Sequence, residues 1–410
     1  MHRVTLPLDD ITVIEVDSWM AAPSAAAILA DLGADVVKIE PLTGDPVRGS
    51  SRPAKIDGPL RGYDFGFDVD NRGKRSIAVD LGSTAGRVVV HRLCATADVF
   101  VCNLLQRRQD RFGLSPEQLW ETNPTLVHAT LTGYGTDGPE ASRPGYDVTA
   151  FFGRSGLYDS MRDGPAGEVA MARPAQGDHA AGLALVSGIL AALRLTERTG
   201  RGQAIETSLY ETAVWTLAND FGVTAVDQAP VRRRSRHEQI VPTANRYPCG
   251  DGNWVVFNMP ETAAWPRFCS ALGLEHLLDD DRLQDIKGRF DHMAEIVDVI
   301  DMALSVRSRD EWGPVFDERG LIWGPVLGLH EVTKDAQAEA IGLFPTITHP
   351  QLGAYRTVRA PMRIRDVDTA PRRSAPGVGE HTLAILAEAG FDDDEIGRMV
   401  DGGDVGTHDA

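Results

Sequence analysis

The chain has 410 residues, more than a single hydrophobic core usually serves, so two domains are expected. Its composition, 42% hydrophobic and 24% charged, is that of a folded protein, and a net charge of −18 argues against nucleic acid or an anionic membrane as partner. The first residues lack the basic and apolar regions of a signal peptide, and no run approaches the roughly 18 apolar residues that cross a bilayer, so a soluble cytoplasmic protein is expected.

The first two hundred residues alternate strand and helix signals. Residues 11–16 form a short apolar run, and 24–32 are Ala/Leu-rich behind Pro23, a helix that Gly33 ends. Strands are predicted at 34–40, 75–81, 98–103 and 126–134, with a helix at 86–97. Strands separated by helices of this size imply βαβ units and a parallel sheet, so the fold class is α/β. A helix follows at about 179–197, with Leu183, Val186, Leu190 and Leu193 as its apolar stripe. Gly182 and Gly188 within it suggest close packing against a neighbouring backbone. A strand at 204–209 and another helix complete this part.

From about 225 the sequence turns polar, basic and rich in turn formers, which reads as a linker. A strand at 253–259 and helices over about 262–307 then suggest a smaller α+β domain. The tail carries a strand-like stretch at 356–364 and a helix within 379–390. The expected organisation is a large domain at 1–227, a small domain at 228–330, and a segment at 331–410 returning to the large domain.

Four cysteines and eleven histidines show no CxxC, HExxH or other metal spacing, and no metal is expected. Three basic islands stand out on an acidic chain: Arg72, Lys74 and Arg75; Arg107, Arg108 and Arg111; and Arg232, Arg233, Arg234 and Arg236. Each is either solvated surface or a site for a small polyanion. A nicotinamide-binding reading fails because the turn after 11–16 has no glycine pattern for a pyrophosphate, and there is neither a GxxxxGK[ST] loop nor a GxSxG elbow.

Asp178 precedes the long predicted helix. It can be a simple N-cap. The same geometry also allows a covalent nucleophile, kept ionised by the helix dipole, with Gly177 leaving room for substrate.

Resemblance distinguishes the two. The segments DSWMAAPSAAAILADLGADVVKIEPLTGDPVR, DNRGKRSIAVDL, DVFVCNLLQRRQDRFGL, TGYGTDGPEASRPGYDV, GDHAAGLALVSGILAALRLTERTGRGQAIETSL and GEHTLAILAEAG, in this order, resemble the class III coenzyme A transferases, the CaiB/BaiF family. The resemblance implies a Rossmann-like large domain completed by the tail, a small domain and an interlocked homodimer. It implies an acyl-CoA:carboxylate CoA-transferase whose co-substrate is coenzyme A, with a carboxylic acid acceptor and no tightly bound cofactor. Asp178 matches the catalytic aspartate; Trp19, Met20, Ala21, Lys74, Arg75, Asn103, Leu104, Arg111, Tyr146 and Asp147 match the coenzyme A contacts. Chemistry would run through an aspartyl anhydride and an aspartyl thioester. An apolar Met20 and a 235–250 segment without a glycine run depart from the members that handle formyl and oxalyl groups. Two other readings remain, an α-methylacyl-CoA racemase and a coenzyme A-binding protein without turnover. Racemases of this resemblance carry His where Tyr146 stands, and a phenol near pKa ~10 is a poor proton shuttle at neutral pH.

Overall fold

A computed structural model describes residues 6–408. They divide into two compact units. The larger comprises residues 6–158, 171–226 and 339–408; the smaller comprises Asp159–Ala170 and Asp227–Ala338. The smaller unit thus takes a short insertion that sequence texture left in the first domain, and it continues past the boundary expected at 330.

The larger unit is built on a seven-stranded sheet. Its strands are β1 (Thr12–Val16), β2 (Asp35–Glu40), β3 (Arg75–Val79), β4 (Val99–Cys102), β5 (Val127–Thr132) and β6 (Ala204–Ser208), all parallel, in the order β3-β2-β1-β4-β5-β6. Strands β1 to β5 are buried almost throughout, which explains their near-continuous apolar sequences: helices cover both faces. Side-chain alternation sends Val13, Val36, Val99 and Val127 toward the helices Ala21–Asp31 and Gln176–Thr199. Ile14, Val37, Ile77 and Phe100 point to the other side, toward the helix Thr84–Cys94 and the tail helices Thr382–Glu388 and Asp393–Asp401.

The same alternation puts charge inside the sheet. Glu15 shares the face of Val13, and its strand partner is Lys38. Both are fully buried.

The helix Gln176–Thr199 ends on Gly200, whose φ of 66° supplies the left-handed residue that closes the last turn. It starts earlier than expected, after Ala175 at φ 74°. Its buried stripe is Ala181, Gly182, Leu185, Val186, Ile189 and Ala192, whereas Leu190 is exposed. Gly182 lies against the backbone of the helix Ala21–Asp31: a Cβ there would sit 2.9 Å from the Ala21 carbonyl oxygen. By length and hydropathy this helix could cross a membrane, contrary to the sequence reading; in the fold its apolar stripe covers β5, β6 and a neighbouring helix.

The smaller unit holds an antiparallel sheet of β7 (Arg246–Pro248), β8 (Trp254–Phe257) and β9 (Trp323–Val326), so part of the expected linker is a strand. Its own core gathers Tyr247, Phe257, Phe268, Trp312 and Phe316. In the tail, β10 (Thr346–His349) and β11 (Gly353–Arg356) form a hairpin. The strand expected over 356–364 ends at Arg356, although backbone bonds from Thr357 to Pro345 and from Arg359 to Leu343 follow it. Finally β12 (Val405–Gly406) pairs antiparallel with β3 at the edge of the large sheet.

Candidate active site

Strand order reverses between β1 and β4. A doubly wound sheet opens its ligand crevice at the carboxyl ends of such a pair. The segments leaving β1 and β4 meet there: Asn103 Nδ2 donates to the Ser18 carbonyl at 2.6 Å, and the Ser18 N–H donates to Asn103 Oδ1 at 3.3 Å. Asn103 is therefore occupied in clamping the loop. Trp19 follows with φ 69°, a left-handed conformation that is strained for a bulky residue. Asp45 Oδ1 accepts the Trp19 N–H at 3.2 Å and holds it there.

A cavity of about 260 Å³ opens over this crevice. Trp19, Met20, Ala21, Asn103, Leu104, Tyr146 and Asp178 all line it. The fold thus brings together seven of the eleven predicted site residues from separate stretches of chain. The Trp19 and Tyr146 rings pack edge to face, with centroids 5.4 Å apart. Gly133 and Gly145, which sequence reasoning passed over, let two backbones touch in the wall; a Cβ on Gly133 would lie 2.7 Å from the Gly145 Cα.

Asp178 is not an N-cap. It stands inside the first turn of the helix Gln176–Thr199, half-buried, and its carboxylate takes no hydrogen bond from the described residues. Burial and the charge of Asp147 push its pKa up to about 7, so the helix dipole does not keep it ordinary. Gly177 does not make room for substrate either. It packs on Phe151 and Asp147, and a Cβ at this position would fall 2.6 Å from the Phe151 ring.

The other predicted contacts lie elsewhere. Asp147 is buried; Oδ1 accepts the Val148 N–H at 2.6 Å and Oδ2 has no partner. It acts on Asp178 by charge and does not line the cavity. Lys74 is fully buried, with Nζ bonded to Glu15 at 2.8 and 2.9 Å, to the Pro23 carbonyl and to Asn71 Oδ1, both at 3.0 Å. No donor is left for a polyphosphate. Arg75 begins β3, at the end of the sheet opposite the crevice, where it pairs with Asp35 and Glu388.

The basic islands sort the same way. Arg72 is bonded to Asp31; Arg232, Arg233 and Arg236 pair with Glu238, Asp159 and Asp301, while Arg234 is half-buried over the Phe290 ring. By contrast Arg107, Arg108 and Arg111 are exposed and have no carboxylate partner among the described residues. They line a second cavity of about 1030 Å³ that shares Leu105, Arg108 and Thr132 with the first. One half-buried carboxylate therefore faces a small chamber that adjoins a larger one rimmed by guanidinium groups without carboxylate partners among the described residues. Among the described residues no cluster of His, Cys, Asp or Glu could hold a metal ion.

A sequence profile described as CoA-transferase family III matches residues 8–382. The chain belongs to that family. The transferase is 30% identical to the (R)-2-hydroxy-4-methylpentanoate CoA-transferase of Clostridioides difficile, over 96% of this chain and 98% of the relative. It is 32% identical to the succinate–glutarate CoA-transferase of Agrobacterium fabrum, over 93% and 95%. A CaiB/BaiF family protein of Brucella suis has the same fold, with a TM-score of 0.83 and 29% identity over 94% of this chain and 99% of that one. The transferase is an enzyme of acyl-CoA chemistry, and its family uses coenzyme A thioesters and carboxylic acids as substrates.

Proposed function

We propose that this enzyme transfers coenzyme A between carboxylic acids through covalent intermediates on Asp178. The observation that carries the reading is an unbonded, half-buried carboxylate in a chamber that adjoins an arginine-lined cavity. An Asp178 oxygen attacks the thioester carbonyl, and the tetrahedral adduct expels the coenzyme A thiolate to leave a mixed anhydride. The thiolate then attacks the aspartyl carbonyl and releases the donor acid. An aspartyl thioester remains, which the acceptor carboxylate attacks before a second exchange delivers the new acyl thioester. Anhydride and thioester stay activated throughout, so no nucleotide is consumed. The helix Ala21–Asp31 begins at the chamber, and its first-turn N–H groups are donors of the kind that oxyanions need.

Incubating the enzyme with an accepted acyl-CoA should leave an acyl or thioester adduct on the peptide containing Asp178, trappable with hydroxylamine, and no solvent deuterium at the α-carbon. Deuterium uptake without an adduct would replace transfer by racemisation. That alternative lacks its second acid/base group, because Tyr146 stands where a histidine would shuttle the proton.

Arg108 and Arg111 suit the phosphate groups of coenzyme A. Charge reversal to Glu at either should weaken coenzyme A binding ~10-fold, measured by calorimetry, and the parent affinity should fall as salt rises. Salt-independent binding would move the polyphosphate elsewhere. Trp19, Met20, Leu104 and Leu209 in the chamber favour a weakly polar monocarboxylic acyl chain over a dicarboxylate. A screen of acyl donors in which dicarboxylyl-CoA works best would refute this. The reading includes a homodimer. Trp215 and Val226, 78% and 85% exposed on the consecutive helices Leu209–Thr216 and Ala218–Asp227, are candidates for its contact, and light scattering would test the assembly.

A further inference from the structure

The residue after the nucleophile has no part in the chemistry above, yet its position is specific. His179 Nε2 lies 2.9 Å from Oδ1 of Asp70, on the helix Phe65–Asn71. Asp70 is buried; the imidazole is 46% exposed. Consecutive residues on a helix diverge, so His179 turns away from the chamber that Asp178 lines, one residue further along the same first turn. Asp178 meanwhile has no hydrogen-bond donor of its own among the described residues, sits in a half-buried site, and shares it with the buried, partly unsatisfied carboxylate of Asp147. A nucleophile placed so needs a nearby positive charge to remain an anion.

Every other charged group around it falls short. Arg72 is bound to Asp31 by three contacts of 2.7–3.3 Å and to the Val358 carbonyl at 2.6 Å. Arg108 lines the chamber but belongs equally to the larger cavity, where the polyphosphate is placed. Asp147 and Asp70 are themselves carboxyl groups, and Tyr146 at the rim supplies a phenol, not a cation.

We propose that His179, held by Asp70, is the counter-charge that keeps Asp178 reactive, a positioning residue and not a catalytic one. The inference rests on Asp178 being the nucleophile. Electrostatics agree with the geometry. Burial works against the imidazolium, but the hydrogen bond and charge of Asp70, with the charge of Asp178, overcome it and His179 titrates above its usual value. In return, the charge on His179 opposes the burial and the carboxylates that raise Asp178. Asp70 thus raises Asp178 a little by its own charge and offsets this by fixing the proton on His179.

The test compares the parent with His179→Gln and His179→Lys, following the rate of adduct formation on the Asp178 peptide from pH 5 to pH 9. Gln keeps polarity and loses the charge. Lys loses the shape and keeps the charge, and a half-exposed site accommodates either. The acid limb should move up by about one pH unit in the Gln variant, a roughly tenfold loss of rate at pH 6, and Lys should restore most of it. A structural role would make Gln the milder change and leave the limb in place. If adduct forms in all three proteins and their limbs coincide, the inference is overturned and the nucleophile assignment stands. If the parent forms no adduct on that peptide, the assignment itself falls and takes the inference with it.

Discussion

Asp178→Asn and Asp178→Ala should fold and lose at least ~10³-fold in transfer rate, because no covalent intermediate can form. Two further readouts separate this from general damage. The parent rate should rise with pH through the value of about 7 to which burial and Asp147 push the carboxyl, since only the anion attacks. Stability should move the other way. A carboxyl raised in the folded state favours folding fully below its unfolded value near 4, and that contribution is lost as pH rises through 7. At pH 8 the Asn variant should therefore melt higher than the parent, by ~1–3 °C, and the gap should close toward pH 4. Inactive yet more stable is the signature of a strained functional group. An Asn variant that keeps its activity removes Asp178 from the chemistry.

Lys38→Met should destabilise the fold by ~3–5 kcal/mol in urea denaturation, because removing one partner of a buried ion cluster leaves charge without compensation. Lys38 Nζ lies 3.0 Å from Asp45, 3.2 Å from Asp17 and 3.4 Å from Glu15, and all four side chains are completely buried. Lys74 supplies the second cation. Burial and the neighbouring Glu15 raise Asp17 to about 7, while burial lowers Lys74 and the surrounding carboxylates raise Lys38, so the cluster titrates as a unit. The cluster also reaches the crevice, since Asp45 carries the strained Trp19 through its N–H. A variant that folds at low temperature should accordingly bind coenzyme A less tightly. A loss below ~1 kcal/mol would mean that water enters and solvates the carboxylates.

Much of this enzyme is written locally. The parallel strands are legible because a strand buried on both faces must be apolar nearly throughout, as β4 is in Val99–Cys102. The long helix is legible from its period and from Gly200, whereas the local motif around Asp178 reads as a cap and only resemblance along the whole chain singles that residue out. What tertiary structure decided is which charges are free. Arg72, Lys74 and Arg75 read as one basic island, but Lys74 meets Glu15, 59 residues away, and Arg75 meets Asp35 at the wrong end of the sheet. Arg107, Arg108 and Arg111 look no different in sequence and keep their guanidinium groups exposed. Nor could the sequence show that Asp178 is raised by Asp147, or that His179 is tied to Asp70, 109 residues away. Hydrophobic period and turn chemistry act within a few residues and so survive in one dimension. Charge compensation acts through space, and only the folded chain determines which carboxylate each cation meets.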